Sequence, residues 1–255
     1  MSQVSEGAVQ HVRERVFSPF PGKGDCRFRT GWGSLRPDGP WRLGVSFNFI
    51  AIEGPIGVGK TSLAERLAER LEATSVFEEW KQNPFLQPFY DGKPGAAFQV
   101  ELFYVLSRYR QQQELLQRKL FAQHTLSDYI FEKSKLFAYL NLEDSELLIY
   151  EKLYMLLVES VPRPDLVIYL QAPTELLLKR IHARKRAEET RLSEEYLAEV
   201  NRAYNHYFFH YSQTPLLVVN TSDVDFVKNP DDVDDLMRQI KGMGKGTQYY
   251  APMRH

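Results

Sequence analysis

A glycine-rich segment that ends in lysine and threonine is the part of the sequence best suited to chemistry. It consists of Gly54, Pro55, Ile56, Gly57, Val58, Gly59, Lys60 and Thr61, followed by Ser62, and it fits the pattern G-x-x-x-x-G-K-[ST]. In such a loop the backbone N–H groups point at a phosphate, the lysine adds a cation, and the threonine hydroxyl can bind Mg²⁺. The segment therefore predicts a site for a nucleoside triphosphate such as ATP, together with Mg²⁺.

The elements on either side of this loop are those that the motif requires. An apolar strand precedes it at residues 47–52, and a helix with leucines at helical spacing follows it at residues 61–72. An ordinary glycine-rich turn between a strand and a helix is the alternative. The complete motif between both elements favours the phosphate site.

The rest of the chain alternates strands with helices. Further strands are predicted at residues 75–78, 125–129, 165–170 and 215–220, and helices at residues 95–121, 130–140, 145–161, 174–186, 193–211 and 231–240. This order predicts an α/β fold, a three-layer sandwich in which helices flank a five-stranded parallel sheet. Ligands of such a fold bind at the carboxyl ends of the strands.

Acidic residues follow two of these strand ends. Glu78 comes after the second strand and Asp128 after the third. Phosphoryl transfer uses a carboxylate to take the proton of the acceptor and cations over the transferred group. Glu78 and Asp128 are both candidates for that carboxylate, Lys60 is a candidate for one of the cations, and Thr61 and Asp128 are the candidate ligands of the metal. A helix cap or a solvated loop is the alternative for either acid alone.

A basic segment at residues 179–191 includes Arg180, Arg184 and Arg186. Arginine side chains suit phosphoryl oxygens, and a basic lid could exclude water during transfer. A solvated helix face and a nucleic-acid patch are the alternatives. The position of the segment between the fourth strand and the fifth favours the lid.

Composition limits the class of protein. With 255 residues, 43% hydrophobic and 25% charged, the chain suits one α/β domain, which we place at residues 47–255. Residues 18–44 are rich in glycine, proline and arginine and lack strand or helix periodicity. We therefore expect residues 1–46 to be a disordered extension, or a non-native one that results from translation begun upstream of the natural start. The net charge of −1 gives no general attraction to nucleic acid or to a membrane. The single cysteine, Cys26, fits a reducing cytoplasm.

From residue 47 to the last helix the chain resembles the deoxynucleoside kinases. The motifs that carry the resemblance are GPIGVGKTS, FEEWKQNPFLQPFY, SRYR, PDLVIYL and RIHARKRAEETRLSEEYL. It implies the doubly wound fold, a homodimer, and ATP-dependent phosphorylation of the 5′-hydroxyl of a deoxynucleoside. The roles that it implies are general base for Glu78, contact with the 3′-hydroxyl for Tyr90 and Glu189, lid arginines for Arg180, Arg184 and Arg186, proximity to the base for Arg108, and stacking beside the adenine of ATP for Phe226.

The chain departs from the family pattern at three positions. Glu101 stands where the family reads the nucleobase with glutamine, and a carboxylate donates no hydrogen bond unless it is protonated. Lys133 replaces an aspartate that contacts the base, and Asp128 is displaced by one residue, which in a regular strand would reverse its direction. We expect Glu101, Arg108 and Lys133 to form a mutually compensating charged set, although a simple Glu101–Lys133 pair is the alternative.

The sequence thus favours a deoxynucleoside kinase, and NPFL favours a purine substrate by analogy. Two alternatives stay open. One is a nucleoside monophosphate kinase such as thymidylate kinase, which shares the loop and lid, and the other is a nucleotide-binding scaffold without turnover.

Overall fold

A computed structural model of the chain describes residues 47–118, 124–184, 192–226 and 228–252. Within these ranges the strands are β1 (Phe49–Glu53), β2 (Thr74–Val76), β3 (Thr125–Ser127), β4 (Leu166–Gln171), β5 (Leu216–Asn220) and β6 (Thr247–Tyr250). The α-helices are α1 (Lys60–Leu71), α2 (Leu86–Tyr90), α3 (Ala96–Arg118), α4 (Lys133–Asn141), α5 (Asp144–Val158), α6 (Thr174–Arg184), α7 (Glu194–Phe209) and α8 (Pro230–Gly242). The extension at residues 1–46 lies outside the described residues.

The strands form one sheet in the order β2-β3-β1-β4-β5-β6, and every neighbouring pair is parallel. The predicted parallel α/β sheet is thereby confirmed, with six strands instead of five. The additional strand, β6, pairs with β5 at the edge of the sheet and has no buried residue. Its sequence, TQYY, is short and lacks the apolar run that marked the other strands, so the periodicity did not indicate it.

Alternate residues of the central strands face two different layers of helices. Ile50 and Ile52 of β1 pack in one cluster with residues of α1, α6 and α8. Ala51, between them, belongs to a second cluster on the opposite face, which includes Tyr204 of α7. This alternation, which follows from the two-residue period of a strand, produces the three-layer sandwich.

Helices α3, α4 and α5 pack against one another in a third cluster that contains Val105, Phe131 and Tyr150. In the chain, α3 comes between β2 and β3, and α4 comes after β3. The contact between α3 and α4 therefore brings together the segments that follow these two strands. Among the described residues, no helix has both the length and the apolar character that crossing a membrane requires.

The end of α7 gives a direct test of the packing. Phe208 is 3% exposed in the second cluster, whereas the next residue, Phe209, is 78% exposed. We expect Phe208→Ala to lower the free energy of unfolding by about 3–5 kcal/mol, because it leaves a cavity. Phe209→Ala should change it by less than about 0.5 kcal/mol. Urea unfolding of the two variants measures both values, and equal losses would contradict the packing described here.

Candidate active site

The phosphate loop joins β1 to α1, and two of its glycines are required by its shape. A Cβ on Gly54 would lie 2.6 Å from the carbonyl oxygen of Leu170. Gly59 has φ 107°, which side chains rarely allow, and apart from its neighbours in the chain no described residue comes within 4 Å of the position that its Cβ would take. The backbone before α1 is therefore open to a close approach by a phosphate.

Lys60, the first residue of α1, lies across this loop. Its ammonium donates hydrogen bonds to the carbonyl oxygens of Gly54 at 2.7 Å and Pro55 at 3.1 Å. Burial, and after it the positive charge of Lys133, lower the pKa of Lys60 to about 8, although neighbouring acids oppose this change. A bound polyanion would favour the charged form of this lysine.

Glu53, which the sequence reasoning missed, fixes the start of the loop. It is fully buried at the end of β1 and accepts hydrogen bonds from the N–H groups of Gly54 and Ile130 and from the hydroxyl of Tyr204, each at 3.0 Å. The available signal was a carboxylate that closes an otherwise apolar strand.

Asp128 reaches the phosphate loop despite its displacement in the sequence. The chain bends after β3, where the hydroxyl of Ser127 donates to the carbonyl oxygen of Tyr129 at 2.7 Å. Asp128 then accepts a hydrogen bond from the Thr61 hydroxyl at 2.6 Å and another from the N–H of Glu78 at 2.9 Å. The two residues expected to hold the metal therefore lie together.

Glu78 forms ion pairs with two buried cations, Arg108 and Lys133. Its Oε1 accepts a hydrogen bond from Arg108 Nε at 2.9 Å, and its Oε2 accepts one from Lys133 Nζ at 2.8 Å. Arg108 also donates to the hydroxyl of Ser134 at 2.7 Å. Burial by itself would raise the pKa of Glu78, but Lys133 and Arg108 outweigh it and hold this pKa well below its usual range. Glu78 is therefore ionised at neutral pH.

Glu101 does not pair with Lys133. Its Oε1 accepts a hydrogen bond from the side-chain amide of Asn141 at 2.8 Å, and Tyr196 donates to the same amide group at 3.1 Å. Its Oε2 is buried and has no hydrogen-bond partner among the residues that the structure describes. The alternative of a simple Glu101–Lys133 pair is thus replaced by an arrangement in which both cations bind Glu78.

One cavity connects these groups. Its lining includes Lys60, Thr61, Glu78, Tyr90, Glu101 and Arg184. Two further expected residues, Arg186 and Glu189, lie outside the described residues. The cavity thus extends from the phosphate loop, past the ionised Glu78, to Glu101.

Arg180 and Phe226 take positions that differ from the expected ones. The guanidinium of Arg180 donates to the carbonyl oxygen of Thr221 at 2.7 Å and to its hydroxyl at 3.0 Å, and it also reaches the carbonyl oxygens of Val58 and Val224 at 3.3 Å. It therefore ties the loop after β5 to the phosphate loop instead of lying free in a lid. Phe226 is 6% exposed in the first core cluster, so it offers no open face for stacking.

Comparison with known proteins agrees with this geometry. The model of the deoxynucleoside kinase family matches residues 50–243, which is most of the chain. The chain belongs to the deoxynucleoside kinase family. Deoxyguanosine kinase of Bacillus subtilis is 35% identical over 76% of this chain and 96% of its own length. Deoxyadenosine kinase of Dictyostelium discoideum is 35% identical over 75% of this chain and 77% of its own length.

A solved structure supports the fold of this deoxynucleoside kinase. Deoxyadenosine kinase from M. mycoides with bound dATP superposes with a TM-score of 0.64 and 21% identity, covering 76% of this chain and 98% of that one. The chain is therefore a phosphotransferase that acts on deoxynucleosides, as its sequence predicted.

Proposed function

We propose that this kinase transfers the γ-phosphoryl group of ATP, with Mg²⁺, to the 5′-hydroxyl of a purine deoxynucleoside held at Glu78. The observation that carries the proposal is the single cavity in which an ionised Glu78 lies together with Lys60 and Thr61 of the phosphate loop. Relatives of equal identity, 35%, are named for deoxyguanosine and for deoxyadenosine, which supports a purine.

The phosphate end of the cavity fits a triphosphate. The open backbone at Gly59 and the start of α1 supply N–H groups and the positive end of the helix dipole. Lys60 is within reach of the same space and can exchange its carbonyl partners for phosphate oxygens. Arg184, which lines the cavity, would add a second cation, and we retain Arg186 as a further one.

The acceptor end of the site depends on Glu78. Arg108 and Lys133 fix both oxygens of this carboxylate, yet a carboxylate has about four acceptor positions and can take one more donor. That donor would be the 5′-hydroxyl. Because the pKa of Glu78 is low, its main contribution is to orient the hydroxyl, and it takes the proton late in a loose transition state. We also retain contact of Tyr90 and Glu189 with the 3′-hydroxyl of the sugar.

Glu78→Gln tests this role. The amide keeps one acceptor but loses the charge, so we expect the turnover rate to fall by roughly 100-fold or more, while nucleoside affinity changes little. Glu79→Gln is the matched control, because Glu79 is the adjacent acid and binds the exposed Arg110 instead. Steady-state rates and nucleoside binding are measured for both variants, with circular dichroism as the check on folding. A folded Glu78→Gln protein with an unchanged turnover rate would refute the assignment.

The pair of Thr61 and Asp128 fits Mg²⁺. Both offer oxygen atoms, the ligands that Mg²⁺ prefers, at the edge of the phosphate loop. Within the described residues no group of three or more His, Cys, Asp or Glu could hold a metal without other ligands. A site of two side chains is typical of Mg²⁺ that also binds phosphate oxygens. When bound there, the ion neutralises charge on the triphosphate.

Asp128→Asn should weaken this site. Loss of the negative charge should raise the Mg²⁺ concentration for half-maximal activity by roughly 10- to 100-fold. Asp231→Asn, at the exposed first turn of α8, is the control and should leave that concentration unchanged. Activity is measured as a function of Mg²⁺ concentration for both variants at saturating ATP. Identical curves would contradict a role for Asp128 in binding Mg²⁺.

We also propose that the kinase is a cytoplasmic homodimer. Leu148, Ile149, Met155 and Leu156 lie on one face of α5 and are all more than half exposed. Light scattering should give about twice the chain mass of 29.7 kDa. Leu156→Asp should shift it toward one chain, whereas Tyr249→Asp on β6 should not. A wild-type protein of one chain at all concentrations would contradict the dimer, and cell fractionation tests the compartment.

A further inference from the structure

The unpartnered oxygen of Glu101 is the feature of the cavity that the proposed function leaves unexplained. Glu101 is 1% exposed, and its Oε2 has no hydrogen-bond partner among the described residues. A buried acceptor without a donor loses its hydration and gains no hydrogen bond in return, which is most costly for a charged group. Because Glu101 also lines the cavity, a bound molecule could supply the missing donor.

Asn141 holds the carboxylate in one orientation. Its amide donates to Oε1 at 2.8 Å, and the hydroxyl of Tyr196 in turn fixes the amide. Each carboxylate oxygen has two acceptor positions. Oε1 can therefore accept one more hydrogen bond in addition to that from Asn141, and Oε2 can also accept one. The ionised side chain thus presents two neighbouring acceptors and no donor.

Glu101 and Glu78 line the same cavity, and Arg108 connects their positions. Glu101 and Arg108 are seven residues apart on α3, two turns of one helix face, which is about 10 Å. Arg108 holds Glu78, where the proposed function places the 5′-hydroxyl. A deoxynucleoside with its sugar at Glu78 would therefore bring the edge of its base toward Glu101.

The four bases differ in what they offer to such a pair of acceptors. Adenine and cytosine present one donor next to an acceptor nitrogen, which a carboxylate would repel. Thymine presents a single N–H between two carbonyl oxygens. Guanine alone presents two adjacent donors, N1–H and the 2-amino group, and these match the two oxygens of an ionised carboxylate.

We propose that Glu101 recognises guanine by accepting hydrogen bonds from N1–H and from the 2-amino group, so that the kinase prefers deoxyguanosine. This inference rests on the proposed function, since it takes the deoxynucleoside to occupy this cavity with its 5′-hydroxyl at Glu78. It assigns Glu101 as the residue that distinguishes guanine from adenine.

The protonation state of Glu101 decides which base the side chain suits. Burial raises the pKa of Glu101 to about 7, and the charge of Glu78 adds to this, whereas Asn141, Arg108 and Lys133 lower it. The other titratable groups that face it are the tyrosines Tyr104 of α3, Tyr150 of α5 and Tyr196 of α7, which stay neutral at this pH. Guanine requires the ionised form, while the protonated acid, with one donor and one acceptor, suits adenine.

Glu101→Gln is the first test. Glutamine has the same shape but offers one acceptor and one donor, which suits adenine and not guanine. We expect kcat/KM for deoxyguanosine to fall by roughly 10- to 100-fold and the ratio of deoxyadenosine to deoxyguanosine activity to rise at least as much. Gln99→Glu, two residues away on another face of α3, is the control and should leave the ratio unchanged.

The second test uses the unaltered protein, so it does not depend on the folding of a variant. Deoxyinosine lacks the 2-amino group of deoxyguanosine, and its affinity should be lower by about tenfold. The affinity for deoxyguanosine should also be about fivefold or more weaker at pH 6 than at pH 8, because Glu101 is protonated below its pKa of about 7. Calorimetric titration without ATP measures both, and the pH effect should be absent from Glu101→Gln.

The outcomes separate this inference from the proposed function. A wild-type preference for deoxyadenosine, or equal binding of deoxyguanosine and deoxyinosine, would overturn the role of Glu101 and leave the kinase assignment intact. If no deoxynucleoside is phosphorylated with ATP and Mg²⁺, the proposed function itself fails. Transfer to nucleoside monophosphates only would likewise contradict the proposed function.

Discussion

A single carboxylate shared by two buried cations, that of Glu78, holds one side of the cavity together. Glu78 follows β2, Arg108 lies on α3 and Lys133 begins α4, so their hydrogen bonds join three elements that are distant in sequence. Arg108 and Lys133 are only 2% and 8% exposed, and removal of the anion would leave two buried charges uncompensated. The ion pairs that set the geometry of the site therefore also stabilise the contacts among these three elements.

The same constraint connects the Glu78 side of the cavity with the phosphate loop. Asp128 accepts a hydrogen bond from the backbone of Glu78 and another from the hydroxyl of Thr61. A shift of the chain after β2 would therefore move Asp128 relative to α1. The buried carboxylate of Glu53 accepts hydrogen bonds from the N–H groups of Gly54 and Ile130. It therefore joins the chain segment that follows β1 to the segment that follows β3. Phosphoryl transfer depends on such fixed positions more than on strong acid–base chemistry.

The features that the sequence predicted well depend on local patterns. The phosphate loop has a complete motif, and the inner strands are continuous apolar runs, so both follow from neighbouring residues. Strand β6 lacks such a run, and the reach of Asp128 depends on a bend that Ser127 stabilises. Charge pairing was the least predictable feature. Glu78 and Glu101 could each have attracted Arg108 and Lys133, and only tertiary packing decides between them.

Two departures from the family pattern make physical sense together. Glu101 introduces a second buried acid two turns from Arg108, and like charges near each other oppose ionisation. Lys133, where the family has an aspartate, removes one acid and adds one cation, and its charge lowers the pKa of Glu101 as well as that of Glu78. A carboxylate at position 101 with an aspartate at position 133 would place three acids around one arginine. The lysine at position 133 therefore adds to the hydrogen bond of Asn141 and the charge of Arg108, which favour the ionised form of Glu101 against its burial.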